Sequence, residues 1–133
     1  MIDPASVPDV GDNETLARYV LQRSHIRSSD RTVKPDAFMP RPDLQLSAMR
    51  HRDATEEELW RVGEEIADKR SRTLYGRGDF GVVDCVDQKL AVSAAPVPGN
   101  PNHANVVKWP DDKDAQKSIA QELAAHATFV PNP

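Results

Sequence analysis

The chain has 133 residues, 38% hydrophobic and 29% charged, with a formal net charge of -4 and one cysteine. That length suits one modest core rather than two, a lone cysteine excludes an internal disulfide, and no apolar run approaches the roughly 18 to 20 residues that span a bilayer. The start, MIDPASVPDV, lacks the basic-then-apolar order of a secretory leader, so a cytoplasmic protein is expected, with Cys85 as a small buried apolar residue.

The charge is unevenly placed. Residues 1 to 17 carry four acids and no bases, and residues 18 to 52 carry eight bases against three acids. A basic segment of this kind can face nucleic acid, phosphate or an acidic protein surface. It can equally line the wet side of a helix through Arg18, Arg23 and Arg27. An acidic whole without interleaved aromatic residues argues against nucleic acid and favours the helix face.

In chain order, residues 1 to 13 hold Pro4, Pro8 and Gly11 among polar residues and predict a mobile or loosely docked arm. Leu16, Tyr19, Val20 and Arg23 recur at helical spacing behind a cap at Asp12 or Asn13, which predicts a helix over 14–24. The proline-rich stretch to Pro42 predicts a long loop held to the core by Phe38 and Met39. Leu44, Leu46 and Ala48 alternate with Gln45, Ser47 and Met49, which predicts a strand over 43–50.

Thr55 and Glu58 have capping-box spacing, so a helix over 56–70 follows, with Leu59, Val62, Gly63 and Ile66 inward and Trp60 at the edge. Residues 74–87 predict one or two strands that form a hairpin with a strand at 90–94. APVPGNPN is a stiff connection, His103 to Trp109 a last strand, and Asp111 or Asp112 caps a helix to about Ala127 with Ala115, Ile119, Leu123 and Ala127 inward. Phe129 and Val130 then dock back.

This order predicts an α+β domain over 14–130, followed by a tail at 131–133. The expected architecture is a small mixed or mainly antiparallel sheet of about four strands, with three helices packed mainly on one face.

GRGDFGVV at 76–83 matches a glycine-rich phosphate loop. Asp79-Phe80-Gly81 and His51-Arg52-Asp53 spell two kinase triplets. The reading fails on order, because the catalytic triplet precedes the glycines, and Glu58 stands where a metal-binding asparagine is required. The dinucleotide reading needs a helix after the glycines, where VVDCV reads as a strand. A turn and bulge at Gly76 and Gly78 is the expectation.

The remaining polar features surround His103. A histidine between Asn102 and Asn105 at a strand start can bind a ligand or act as acid or base. Tyr75 and Arg77 offer a hydroxyl and a forked cation suited to phosphate or carboxylate. If the strand from Leu74 runs parallel to the strand before the 56–70 helix, and the hairpin and final strand then alternate, Tyr75, Arg77, Asn102, His103 and Asn105 converge at one sheet end. Arg50 and His51 then lie at the other. No paired spacing among His25, His51, His103 and His126 points to a metal, and no cofactor loop is evident.

AFMPRPDLQLSAMRH together with NHANVVKWPDDKDAQKSIAQELA resembles a group of short bacterial proteins of unassigned function, over roughly residues 34–130. The resemblance implies a bacterial origin and carries no activity. The expectation is therefore a non-enzymatic binding protein that recognises a protein partner, a second copy of itself or a phosphate-bearing small molecule. The alternative is a small enzyme or nucleotide-binding protein, with His103 as acid or base and Arg77 as anion holder.

Overall fold

A computed structural model describes residues 2–133. Its elements are β1 (Thr15–Val20), β2 (Ile26–Arg27), β3 (Thr32–Val33), β4 (Leu46–Arg50), α1 (Glu56–Lys69), β5 (Gly76–Gly81), α2 (Val82–Asp87), β6 (Ala91–Ala94), β7 (His103–Val107), α3 (Lys113–His126) and β8 (Thr128–Pro131). The domain is α+β with three helices, as its element order suggested. The main sheet has six strands rather than about four, in the order β6-β7-β4-β1-β5-β8, and every neighbouring pair is antiparallel.

The extra strands come from two corrections. Residues 14–24 are not a helix: Thr15–Val20 is the strand β1, lying between β4 and β5. Leu16 and Val20 point to one face and Ala17 to the other, and all three are fully buried. A strand covered on both faces loses the polar half of its period-2 pattern, which is why the segment imitates a helix. At the C-terminus, Phe129 and Val130 do more than dock, since β8 pairs with β5 from Gly76↔Pro131 to Asp79↔Thr128.

The expected hairpin between 74–87 and 90–94 does not form. Val82–Asp87 is the helix α2, with Val82 and Cys85 buried one turn apart. Asp84 folds back to accept the Gly81 backbone N–H at 2.9 Å, and Lys89 at φ 64° ends the turn. That local capping overrides the β-branched valines. The strand β6 pairs with β7 instead, and β4 begins only at Leu46, because Leu44 sits in the left-handed region at φ 61°.

GRGDFG is neither turn nor bulge. It is β5, paired with β1 without interruption from Val20↔Gly76 to Thr15↔Gly81. Its glycines give room to neighbours: a Cβ on Gly76 would stand 2.5 Å from the Val130 oxygen, and one on Gly78 would stand 3.2 Å from Val33 Cγ2. Phe38, fully buried, meets Phe80 edge-on at 5.2 Å between centroids and holds the long loop against this strand.

Helices cover both faces of the sheet, not mainly one. On one face α2 and α3 join Leu16, Val20, Leu46, Phe80 and Val106 in the larger core. On the other, α1 sets Leu59 and Val62 against Ala17 and Met49. Thr55 caps α1, taking the Glu58 N–H at 3.1 Å, and Asp112 caps α3, taking the Ala115 N–H at 2.9 Å. The buried arc of α3 keeps Leu123 and adds Gln116, Ala120 and Ala124, while Ile119 and Ala127 pack partly buried against the same core. Gln116 enters it because its amide donates to the Pro110 carbonyl at 2.7 Å.

Candidate functional site

The five residues expected to converge are divided by the sheet. Because β1 intervenes between β4 and β5, β7 runs antiparallel to β5 and their starts lie at opposite ends. The register places His103, Met49, Ala17 and Asp79 in one row across β7, β4, β1 and β5. Three strand steps separate His103 from Asp79 by roughly 14 Å, and Arg77 lies two residues further along.

Arg77 is almost fully buried, and its donors are occupied within the chain. Nε bonds Asp79 at 2.9 Å, and the two Nη groups clasp Glu56 at 2.9 and 2.8 Å. Its guanidinium lies 4.7 Å from the Trp60 ring centroid. Burial pulls its pKa down, but the bonds to Glu56 and Asp79 outweigh that and raise it. His51, expected at the far end, is here: Nε2 is 3.0 Å from Asp79 Oδ1. Burial pushes the Asp79 pKa up, and the His51 and Arg77 hydrogen bonds bring it below the ordinary value.

Tyr75 is half-buried beneath the Arg23 guanidinium, 5.7 Å from the ring centroid. Asn102 is a structural brace. Its amide donates to the Arg52 carbonyl at 2.7 Å and its side-chain oxygen accepts from Arg52 Nε at 3.1 Å.

His103 and Asn105 are brought together, and with partners the site proposal did not include. They line a pocket of about 350 Å³ bounded by α1, the ends of β1 and β4, and the Val97–Asn100 turn. His103 Nδ1 is 2.9 Å from the Ala95 carbonyl. A carbonyl only accepts, so Nδ1 carries the proton and Nε2 is the free acceptor of the neutral ring. Burial lowers the His103 pKa, partly offset by that bond. Asn105 Oδ1 is buried without a hydrogen-bond partner, an orphan of the kind that marks a missing donor.

Arg18 lines the same pocket. The β1–β4 ladder stops after Leu16↔Arg50 and Ala17↔Met49. In the fork beyond, Arg18 Nη1 donates to the Ser47 carbonyl at 2.9 Å and Nε to the Ala37 carbonyl at 2.8 Å. No carboxylate pairs with it among the described residues. Burial first, then Arg70 and Arg41, push its pKa down to about 10, so it stays charged at neutral pH.

Around it stand His25, Arg41, Lys69 and Arg70, with Glu65 the only acid lining the pocket. Glu65 already pairs with Arg61 at 2.9 Å. In a chain of net charge -4, this is a concentrated positive field.

The excess of bases over 18–52, read from the sequence as favouring the wet face of a helix, includes Arg18 and Arg41 of this pocket. Lys69 and Arg70, at the end of α1, come from outside that segment. Among the described residues no group of three or more His, Cys, Asp or Glu side chains is arranged to hold a metal ion, and no helix is long and apolar enough to cross a membrane. Compared with family models, with curated proteins and with solved structures, the chain matches none.

Proposed function

We propose that this protein binds a small anionic ligand in the pocket beside α1. Arg18 forms the floor, Arg41 and Arg70 the rim, and His103 and Asn105 the polar wall. The observation that carries the reading is Arg18: a half-buried guanidinium that lines a cavity and, among the described residues, has no carboxylate partner. Withdrawing a charge even partly from water without a counter-ion is unfavourable, and a bound anion offsets that through forked, charge-assisted hydrogen bonds. The remaining Arg18 donors supply such bonds, whereas the orphan Asn105 Oδ1 is itself an acceptor and holds no part of the anion. Arg77 takes no part, since Glu56 and Asp79 already neutralise it.

A role in chemistry would fall to His103, whose free Nε2 can accept a proton at neutral pH. Ser47 is the lone serine in the pocket lining, and among the described residues no hydrogen bond joins its hydroxyl to His25 or His103, so binding is the favoured activity.

The test is a ¹H–¹⁵N NMR titration of the full chain with inorganic phosphate, acetate and citrate, with glycerol as the neutral control. Saturable shifts are expected at Arg18, Ser47, His103 and Asn105 for the anions alone. Arg18→Met, checked for folding by circular dichroism, should lose at least tenfold in affinity. Wild-type protein that binds no anion saturably, or a folded Arg18→Met that binds as well as wild type, would overturn the proposal.

A further inference from the structure

The pocket is not uniformly polar. Leu21, Met49, Val62, Ile66, Val97 and Pro98 also line it, and every one is aliphatic or a thioether. On α1 the lining positions Val62 and Ile66 are followed a turn later by Lys69 and Arg70. With a rise of about 1.5 Å per residue, the wall passes from apolar to basic over roughly 12 Å. Val97 is 40% exposed at the mouth, one of three large hydrophobic residues left that open.

Tyr19 is the only benzenoid ring in the lining. It packs against Gly63, where an added Cβ would come within 2.7 Å of Tyr19 Cε1, and its hydroxyl donates to the Leu59 carbonyl. Aliphatic side chains outnumber aromatic rings in this lining. Flexible Met49 and branched aliphatic residues suit a methylene chain.

We infer that the ligand is a medium-chain aliphatic anion, its head group on Arg18 and the rim cations and its chain along Met49, Val62, Ile66 and Val97. This deepens the anion-binding reading and rests on it. A cavity of about 350 Å³ holds roughly twelve groups of about 30 Å³, enough for a carboxylate or phosphate head and about eight carbons. The two head groups share the chemistry that Arg18 recognises, and an experiment distinguishes them.

Calorimetric titration of the full chain with acetate, butanoate, hexanoate, octanoate and dodecanoate, all below micelle concentrations, reads the chain. Each buried methylene should tighten binding by about two- to fourfold, up to about eight carbons, with no gain or a loss at twelve. Octyl phosphate against octanoate decides the head, and octanol should bind at least tenfold more weakly than either. Val97→Ser, an exposed change that spares the fold, should weaken octanoate several-fold and leave inorganic phosphate unchanged. If acetate and phosphate bind but octanoate is no tighter than acetate, the aliphatic assignment falls and the anion pocket stands. If no anion binds, both fall.

Discussion

Arg77 and Arg18 leave neighbouring strands of one sheet, and the chain treats them in opposite ways. Arg77 meets two carboxylates and an indole, so its charge is neutralised at home and its role is to tie β5 to the start of α1. Arg50 is handled likewise. It clasps Glu14 at 2.7 and 2.8 Å and also bonds the Pro8 carbonyl at 2.8 Å, which fastens the N-terminal stretch to the sheet. Arg18 meets only carbonyl oxygens and further cations. A charge paired internally serves the fold, and a half-buried charge without a carboxylate partner beside a cavity is open to a partner from outside.

The sharpest way to break this comparison is to remove each guanidinium. Arg77→Met leaves Asp79 with His51 alone and should cost about 3 kcal/mol in urea denaturation, while anion affinity changes less than about threefold. Arg18→Met loses two hydrogen bonds to carbonyls but also a buried charge, so its stability should shift by no more than about 1 kcal/mol, with binding lost. If both variants lose stability equally and Arg18→Met still binds anions, the distinction fails.

A smaller effect is expected at Glu56, whose side chain is 68% exposed. Although Arg77 holds its pKa below the ordinary value through hydrogen bonds, water screens the pair. Glu56→Gln should therefore cost no more than about 1 kcal/mol, measured by the same urea midpoint. A loss near that of Arg77→Met would mean that Glu56, not Asp79, carries the network.

The smallest effect is in pH. Burial lowers the pKa values of His25 and His103 below the ordinary 6.5. The unfolded chain therefore takes up those protons first. Their contribution to stability is complete above about pH 6.5 and is lost as pH falls below it. A bound anion favours the charged imidazoles, so the urea midpoint should drop less between pH 7.5 and 5.5 when octanesulfonate, whose charge is constant there, is present. Affinity for that anion should rise as pH falls. An equal drop with and without the anion would separate the histidines from the site.

Local features were legible where a few neighbouring residues decide the outcome. The helices at α1 and α3 follow from Thr55 and Asp112 as caps and from apolar spacing, and β6 and β7 from short apolar runs bounded by proline and glycine. The segment Thr15–Val20 was not legible, since being buried on both faces is a property of its neighbours. Nor was VVDCVD, where the Asp84 carboxylate on the Gly81 N–H decides a helix that β-propensity opposes. Within the site, His103 and Asn105 were visible as a polar pair on one strand face, and the basic stretch was visible as charge.

By itself, the sequence determined the α+β class, the capped helices and the presence of an unbalanced group of cations, because these depend on composition and on contacts within a few residues. Only the tertiary structure decided which arginine is neutralised and which is free. Inserting β1 between β4 and β5 carried Arg77 to Asp79, Glu56 and Trp60. The early end of the β1–β4 ladder left Arg18 in a fork where it bonds carbonyl oxygens and pairs with no carboxylate among the described residues. Pairing across the sheet joins residues dozens of positions apart, and no local pattern encodes it.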